Sequence, residues 1–300
     1  SPALIFHWTF NLPWGLGWPL TIVALAAIGY ALYRRRPGDI ILLAFALPYY
    51  LLIGLAQVKF ARYVLPLFPP FLLLIGALIP SKEESKAAPV VQGAVALAGA
   101  FALLLAGALN GVMMRPDPRD EAAAFIRSQS IPSVGFATGP WYFSPPLNPF
   151  TAAYAPMAAK MQSGQNENPI LIPALVMETV VVDGVEKQQP KSVEWDTELL
   201  NRTQPAAVAI SEYEYGPVQN IGKKEAVDYL RTLQQNYPNR KIFGDPVQVF
   251  GLSFTNLNDK SGQGFGFPLP FLQNKSERLP VQEMPHDMLY TNPTTIVFTK

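Results

Sequence analysis

Ile40-Ile41-Leu42-Leu43-Ala44-Phe45-Ala46-Leu47-Pro48-Tyr49-Tyr50-Leu51-Leu52-Ile53-Gly54-Leu55-Ala56-Gln57-Val58 runs for nineteen residues without a charge. Wound as an α-helix it spans roughly 28 Å, close to the hydrocarbon thickness of a bilayer. Three more charge-free runs flank it, at 14–33, 63–80 and 89–114. The charges between them fall at the run ends: Arg34, Arg35, Arg36 and Asp39, then Lys59 and Arg62, then Lys82, Glu83, Glu84 and Lys86. Membrane crossing demands this placement, because a Lys or Arg at a span centre costs about 2.5–3.5 kcal/mol on insertion scales. Buried helices of a large soluble protein are the competing explanation. Four such runs in succession, joined by short charged turns, count against it. Residues 1–114 are therefore expected to form an α-helical transmembrane bundle of four spans.

The rest of the chain has a different composition. Only seven of the 23 Lys and Arg and three of the 22 Asp and Glu precede residue 115, which leaves 16 and 19 beyond it. Residues 115–300 thus have the charge density of a water-exposed domain. The 18 Phe, 12 Tyr and 5 Trp exclude a disordered chain, while 30 Pro imply much irregular backbone. With no Cys there is no disulfide framework, no thiol nucleophile and no thiolate-bound metal. His7 and His286 are the two histidines, too few for a histidine cage. A net charge of +1 gives no case for nucleic acid as a partner.

Loop charge sets the expected orientation. Arg34-Arg35-Arg36 is the strongest cationic cluster and is assigned to the cytoplasm. Alternation then puts Lys59 and Arg62 outside, the 82–86 turn inside, and everything after Met114 outside. Two cations on the outer side run against the trend, as if retained to hold an anion. Trp8, Trp14 and Trp18 fit an outer aromatic belt, and His7 is expected at the same interface. Ser1 is not an initiator Met and no signal-peptide n-region precedes the first span, so the chain is expected to be the carboxyl-terminal piece of a longer membrane protein.

The third span opens Tyr63-Val64-Leu65-Pro66-Leu67-Phe68-Pro69-Pro70. Three prolines in eight residues remove donors and clash with preceding turns, so regular helix is expected only from about Pro70. Irregular backbone at membrane depth must be buried by protein or line a wet cavity. A cavity wall and a kinked span held by its neighbours are both open at this point.

Beyond Pro116-Asp117-Pro118, the stretch 119–130 has an amphipathic helical pattern, and 223–237 a stronger one with Ala226, Tyr229, Leu230 and Leu233 on one face. Short strands are expected at 133–137, 206–210, 241–243, 248–250 and 294–298, with proline-rich loops at 139–156 and 263–285. Alternating helices and strands predict an α/β domain, a small three-layer sandwich.

Most catalytic signatures are missing: there is no Walker A loop, no H-E-x-x-H and no G-x-S-x-G elbow. Gly262-Gln263-Gly264-Phe265-Gly266 neither follows a strand nor opens a helix, and reads as a turn. His286, beside Asp287, reads as a surface or packed residue. Asn201-Arg202-Thr203 and Asn274-Lys275-Ser276 match the glycosylation sequon. Glu212 and Glu214, interleaved with Tyr213 and Tyr215, lie just past an expected strand end, where open α/β sheets place ligands. They are candidate sugar or acceptor contacts, against the plainer reading of a solvated strand edge. Lys59-Phe60-Ala61-Arg62-Tyr63, opening into the proline-broken span, is the other constellation. An ammonium and a guanidinium at that depth can neutralise a lipid-linked phosphate and stabilise it as a leaving group. Snorkelling headgroup anchors would have the same composition.

The Lys-x-x-Arg-Tyr-x-x-Pro-x-x-Pro pattern of residues 59–69 resembles the late transmembrane region of GT-C glycosyltransferases. The similarity is to bacterial relatives of the protein O-mannosyltransferases and aminoarabinose transferases. Arg119-Asp120-Glu121-Ala122-Ala123-Ala124-Phe125-Ile126 resembles the helix that often follows the last span in such proteins, and Asp287-Met288-Leu289-Tyr290-Thr291-Asn292-Pro293 a carboxyl-terminal signature of some. The resemblance implies a multi-pass protein of the bacterial plasma membrane with an extracytoplasmic carboxyl-terminal domain. It implies transfer of a sugar from a polyprenyl-phosphate donor to a glycan, lipid or protein acceptor, with Lys59, Arg62 and Tyr63 holding the donor phosphate. Such enzymes place a catalytic acidic residue in the first outer loop, as base or metal-assisting group. None of the expected outer loops in 1–114 carries Asp or Glu, so that residue is expected upstream, and a divalent metal is compatible with the complete enzyme. A membrane-anchored envelope protein whose outer domain binds glycan or a partner is the non-enzymatic alternative. A transporter is disfavoured because no charge lies inside a span.

Overall fold

The computed structural model describes residues 3–57, 59–80, 86–139, 142–147, 170–172, 175–182, 185–192, 194–249, 252–253, 279, 281–282, 284–285, 287–290 and 292–300. The chain divides into two compact units. One comprises Ser1–Met114, Pro246–Gln273 and Gln282–Met288; the other Arg115–Asp245, Asn274–Val281 and Leu289–Lys300.

The first unit is helical. A short turn Ala3–Phe6 and a π-helical turn His7–Asn11 lead into α1 (Leu12–Arg34), followed by α2 (Pro37–Leu55). A 3-10 segment Ala61–Leu67 runs into α3 (Phe68–Leu78), and α4 (Ala88–Met113) follows. Among the described residues four helical stretches are long and apolar enough to cross a membrane: Leu4–Arg34, Pro37–Leu55, Ala61–Leu78 and Ala88–Ser128. Leu16, Leu20, Ala24, Ala27 and Ala31 recur every three or four residues and bury one stripe of α1 with Leu43, Ala46, Phe71, Leu74 and Ile75. Small residues in that stripe let helices approach closely. Ile22, Ile41, Leu73 and Leu97 point outward and are exposed, a distribution suited to lipid rather than water.

Two local features shape this unit. Gly17 has φ 75° and ψ 152°, a conformation open essentially to glycine alone, and it kinks α1. At the other end Arg35 closes α1 in the left-handed region, its N–H donating to Ala31 O at 2.9 Å, and Pro37 starts α2. Arg34 grips Asp39 through Nε at 2.8 Å and Nη2 at 2.6 Å, and donates from Nη1 to Ala77 O at 2.8 Å. One of the three clustered arginines is therefore neutralised within the turn.

Chain position 114 does not bound this unit as the sequence suggests. Val247 joins Trp14, Leu105, Ala108 and Val112 in one apolar cluster, with Met284 and Met288 against it. The residues responsible are single apolar side chains within proline-rich stretches, which have no periodicity to betray where they pack.

The second unit is built on a five-stranded sheet whose strands lie side by side in the order Ile170–Ile172, Ser133–Phe136, Ala207–Ser211, Thr295–Thr299 and Asn239–Phe243. Its strands are β1 (Ser133–Phe136), β2 (Ile170–Ile172), β5 (Ala207–Ser211), β6 (Asn239–Phe243) and β9 (Thr295–Thr299). β1 pairs parallel with β2 and β5, whereas β9 runs antiparallel to β5 and β6. Residues alternate between faces with the strand period of two. Val134, Phe136, Ala207, Ala209 and Val297 pack with Ala122, Ala123 and Ile126 of α5 (Pro118–Ser128). Val208, Ile210, Ile296 and Phe298 pack on the other face with residues of α6 (Thr197–Thr203), α7 (Glu212–Ile221) and α8 (Lys224–Asn236). The sheet thus has helices on both faces. Two antiparallel hairpins lie outside it: β3 (Leu175–Val182) with β4 (Val185–Ser192), and β7 (Gln248–Val249) with β8 (Leu252–Ser253), the latter in the first unit.

Candidate functional site

The loop that leaves α2 and enters the 3-10 segment carries the expected cations. Lys59 is half-buried and its Nζ donates to Ala56 O at 2.7 Å, leaving two further N–H donors on the ammonium. Arg62 is exposed, with its guanidinium over the Phe60 ring at 4.1 Å and within 5.9 Å of the Tyr63 ring. Among the described residues Arg62 has no carboxylate ion pair. Tyr63 sets its ring against Phe60 edge to face at 5.5 Å, and its carbonyl accepts from the Tyr49 hydroxyl at 2.9 Å. Lys59, Arg62 and Tyr63 lie on one short segment, with Arg62 and Tyr63 both against Phe60.

The prolines explain how this segment is held. Ala61, Val64 and Leu67 are buried while Leu65, Pro66 and Pro69 are exposed. The buried positions recur every three residues, the 3-10 repeat, so a proline-rich stretch that cannot be α-helical still presents one apolar face. Val64 and Leu67 belong to the main helical core. The buried face of the stretch is thus held by its neighbours in the helical unit. Regular α-helix starts at Phe68, two residues earlier than expected, with Pro69 and Pro70 in the first turn where a missing N–H does no harm.

Polar side chains from elsewhere grip the same loop. Asn11 Nδ2 donates to Lys59 O at 3.3 Å and to His7 Nδ1 at 2.9 Å. His7 Nε2 lies 3.2 Å from Ile53 O, so the ring carries its proton on Nε2 and is neutral in this network. Both residues are fully buried, so His7 packs inside the helical unit. The π-helical turn His7–Asn11 aims the two side chains at this point. Asp287 arrives from the other end of the chain: Ala61 N–H donates to its Oδ1 at 2.9 Å and Arg62 N–H to its Oδ2 at 3.0 Å. A carboxylate does therefore stand at the cationic loop, although not one supplied by residues 1–114. Sequence reasoning did not connect Asp287, His7 or Asn11 with the loop, and their separations of 46 to 226 residues contain no spacing that could.

The second candidate lies in the other unit. β1, β5 and β6 all end on one edge of the sheet, and the chain enters β9 there. Glu212 and Glu214 sit on that edge but in the first turn of α7, and both are buried. They do not form a solvated strand edge. Ser211 and Glu214 make a reciprocal capping box: Ser211 Oγ accepts from Tyr213 N–H at 3.2 Å, and Glu214 Oε2 accepts from Ser211 N–H at 2.9 Å. The Thr138 hydroxyl donates to Glu214 Oε1. Burial pushes the Glu214 carboxyl up to about 7, against the opposing pull of the hydrogen bonds from Thr138 and Ser211. Glu212 N–H donates to Thr294 O at 2.7 Å. Tyr213, between the two glutamates in sequence, belongs to a group of four half-buried aromatic rings. Tyr142 stacks on Tyr290 at 4.9 Å, Phe143 stacks on Tyr213 at 5.2 Å, and the Tyr213 and Tyr290 hydroxyls are 2.7 Å apart. Burial, with hydrogen bonds to Tyr213 and Tyr290, raises the Tyr142 phenol above its ordinary value.

Among the described residues no group of three or more His, Cys, Asp or Glu is placed to hold a metal ion. Gly262–Gly266, His286 and Asn274-Lys275-Ser276 lie outside the described residues, and Asn201-Arg202-Thr203 closes α6. Comparison with family models, curated proteins and solved structures finds no match to this chain.

Proposed function

We propose that this chain holds the donor in a glycosyltransferase that uses a polyprenyl-phosphate sugar in a bacterial plasma membrane, with its second unit outside the cytoplasm. An acceptor nucleophile attacks the anomeric carbon, the bond from that carbon to the phosphate oxygen breaks, and polyprenyl phosphate leaves. Lys59 and Arg62 hold the phosphate and take up the charge that grows on its oxygen. Tyr63 contributes a hydroxyl donor. The proton of the acceptor nucleophile passes to a carboxylate base. The observation that carries the reading is a pair of cations on a loop whose backbone is fixed, at the mouth of a long apolar span, with Arg62 in no ion pair among the described residues.

The test is sugar transfer by the full-length protein in proteoliposomes carrying a polyprenyl-phosphate sugar. Charge-assisted hydrogen bonds are worth about 1.5–3 kcal/mol, so Lys59→Ala and Arg62→Ala are each expected to reduce transfer roughly ten- to hundredfold. Arg62→Lys keeps the charge but loses the planar fork, and is expected to recover little. Wild-type transfer in both alanine variants would reduce the loop to a headgroup anchor. The aromatic edge around Tyr213 and Tyr290 favours a second reading, a glycan-binding outer domain on a membrane anchor. Glycan binding unaccompanied by any transfer activity in the full-length protein would select it.

A further inference from the structure

We infer that Asp287 is a positioning residue of the Lys59–Arg62 site, clamping the backbone at Ala61 and Arg62 so that the Arg62 guanidinium is presented to the phosphate. The inference rests on the phosphate-holding reading. Its two carboxylate oxygens accept from two successive N–H groups, Ala61 at 2.9 Å and Arg62 at 3.0 Å. Both lie in the first turn of the 3-10 segment, where N–H groups lack partners inside the helix. The segment that presents Asp287 is itself fixed. Met288 N–H donates to Pro285 O at 2.8 Å, closing a turn, and Met284 and Met288 pack against the cluster of Trp14, Leu105 and Val112.

The carboxylate binds backbone and not the guanidinium, a choice with chemical consequences. A bidentate pair with Arg62 would occupy the donors that a phosphate needs. Engaging N–H groups instead fixes the loop while Arg62 stays over Phe60, in no ion pair among the described residues. Asn11 on Lys59 O and Tyr49 on Tyr63 O hold the same stretch at its two ends. The peptides from 59 to 63 are thus gripped by side chains from three separate parts of the sequence. Long, flexible Lys and Arg side chains gain most from such fixing, because less freedom remains to be lost on binding.

The experiment uses the whole chain in nanodiscs containing polyprenyl phosphate, with nanodiscs of phosphatidylglycerol and free inorganic phosphate as separate arms. Affinity for polyprenyl phosphate is measured for wild type, Asp287→Ala, Asp287→Asn, Arg62→Ala and the double variant Asp287→Ala/Arg62→Ala. Loss of one charge-assisted contact corresponds to about tenfold or more, so Asp287→Ala is expected near tenfold weaker and Asp287→Asn, which keeps one acceptor oxygen, in between. If Asp287 acts through Arg62, the double variant binds within about twofold of Arg62→Ala alone. Amide exchange across residues 59–63 gives a readout independent of ligand and is expected to rise in Asp287→Ala. Faster exchange with unchanged affinity, or effects that multiply in the double variant, would make Asp287 a plain cap and overturn the inference while leaving the phosphate reading intact. Unchanged affinity in Arg62→Ala, or equal affinity for phosphatidylglycerol, would overturn that reading and the inference together.

Discussion

Glu214 has both carboxylate oxygens in use, on Thr138 and on Ser211 N–H, and almost no contact with water. Its folded-state value near 7 stands above the ordinary 4.5, so the native state holds the proton more tightly than the unfolded chain does. The stabilisation this brings is complete below about pH 4.5 and is lost as pH rises through about 7. Amide exchange in β5 is therefore expected to quicken across that window. Glu214→Gln should flatten the dependence while retaining one oxygen for Ser211 N–H, and an unchanged slope in that variant would assign the titration elsewhere. The same residue shows what a sequence conceals. Spacing puts Glu214 at the correct edge of the sheet but does not reveal its burial, because Ser211-Glu212-Tyr213-Glu214 reads equally as a strand leaving into solvent. Ser211 serves as both last strand residue and helix cap, since a cap takes the extended backbone that a strand end already has. The cations at 59 and 62 were legible for a simpler reason: charge is conspicuous between apolar runs.

Elements defined by burial periodicity came through well, and those defined by backbone chemistry less so. The long apolar helices, α5, α8 and the strands of the sheet core lie within a few residues of where hydrophobic pattern puts them. The hairpin of β3 and β4 is harder to read: Asp183-Gly184 is a strong turn signal, but only the run before it is β-branched, and the polar run after it contains Pro190. The kink at Gly17 could not be read, because glycine in an apolar helix has several uses and only the measured φ of 75° selects one. A Cβ there would also come within 2.7 Å of the Phe101 ring. Gly17→Ala is expected to destabilise the helical unit by roughly 1–3 kcal/mol from backbone strain alone. Thermal unfolding in detergent checks this, and adding Phe101→Ala should relieve the clash but not the strain. Full recovery in that double variant would place the whole effect in packing.

At the scale of the molecule, the sequence divides at residue 114 by solvent preference, while the fold returns residues near Val247 and Met288 to the helical unit. Composition is blind to such a return because it averages over long stretches. Orientation is the corresponding prediction. The cytoplasmic assignment rests on Arg34, Arg35, Arg36, Lys82 and Lys86. A cysteine-free chain makes the check direct: Ser261→Cys should react with an impermeant thiol reagent in cells with a permeabilised outer envelope, and Ser85→Cys should not. The reverse pattern would put the cationic loop on the cytoplasmic side and remove it from an outer-face donor.

Direct binding of polyprenyl phosphate decides more than any of these. With the whole chain in nanodiscs of neutral lipid, titrated with polyprenyl phosphate and followed by its phosphorus resonance, wild type is expected to saturate and shift the signal. Lys59→Ala/Arg62→Ala should need at least about a hundredfold more ligand, since two charge-assisted contacts are lost. Equal binding by wild type and the double variant, or none by either, would contradict the assignment of Lys59 and Arg62 as the holders of the donor phosphate.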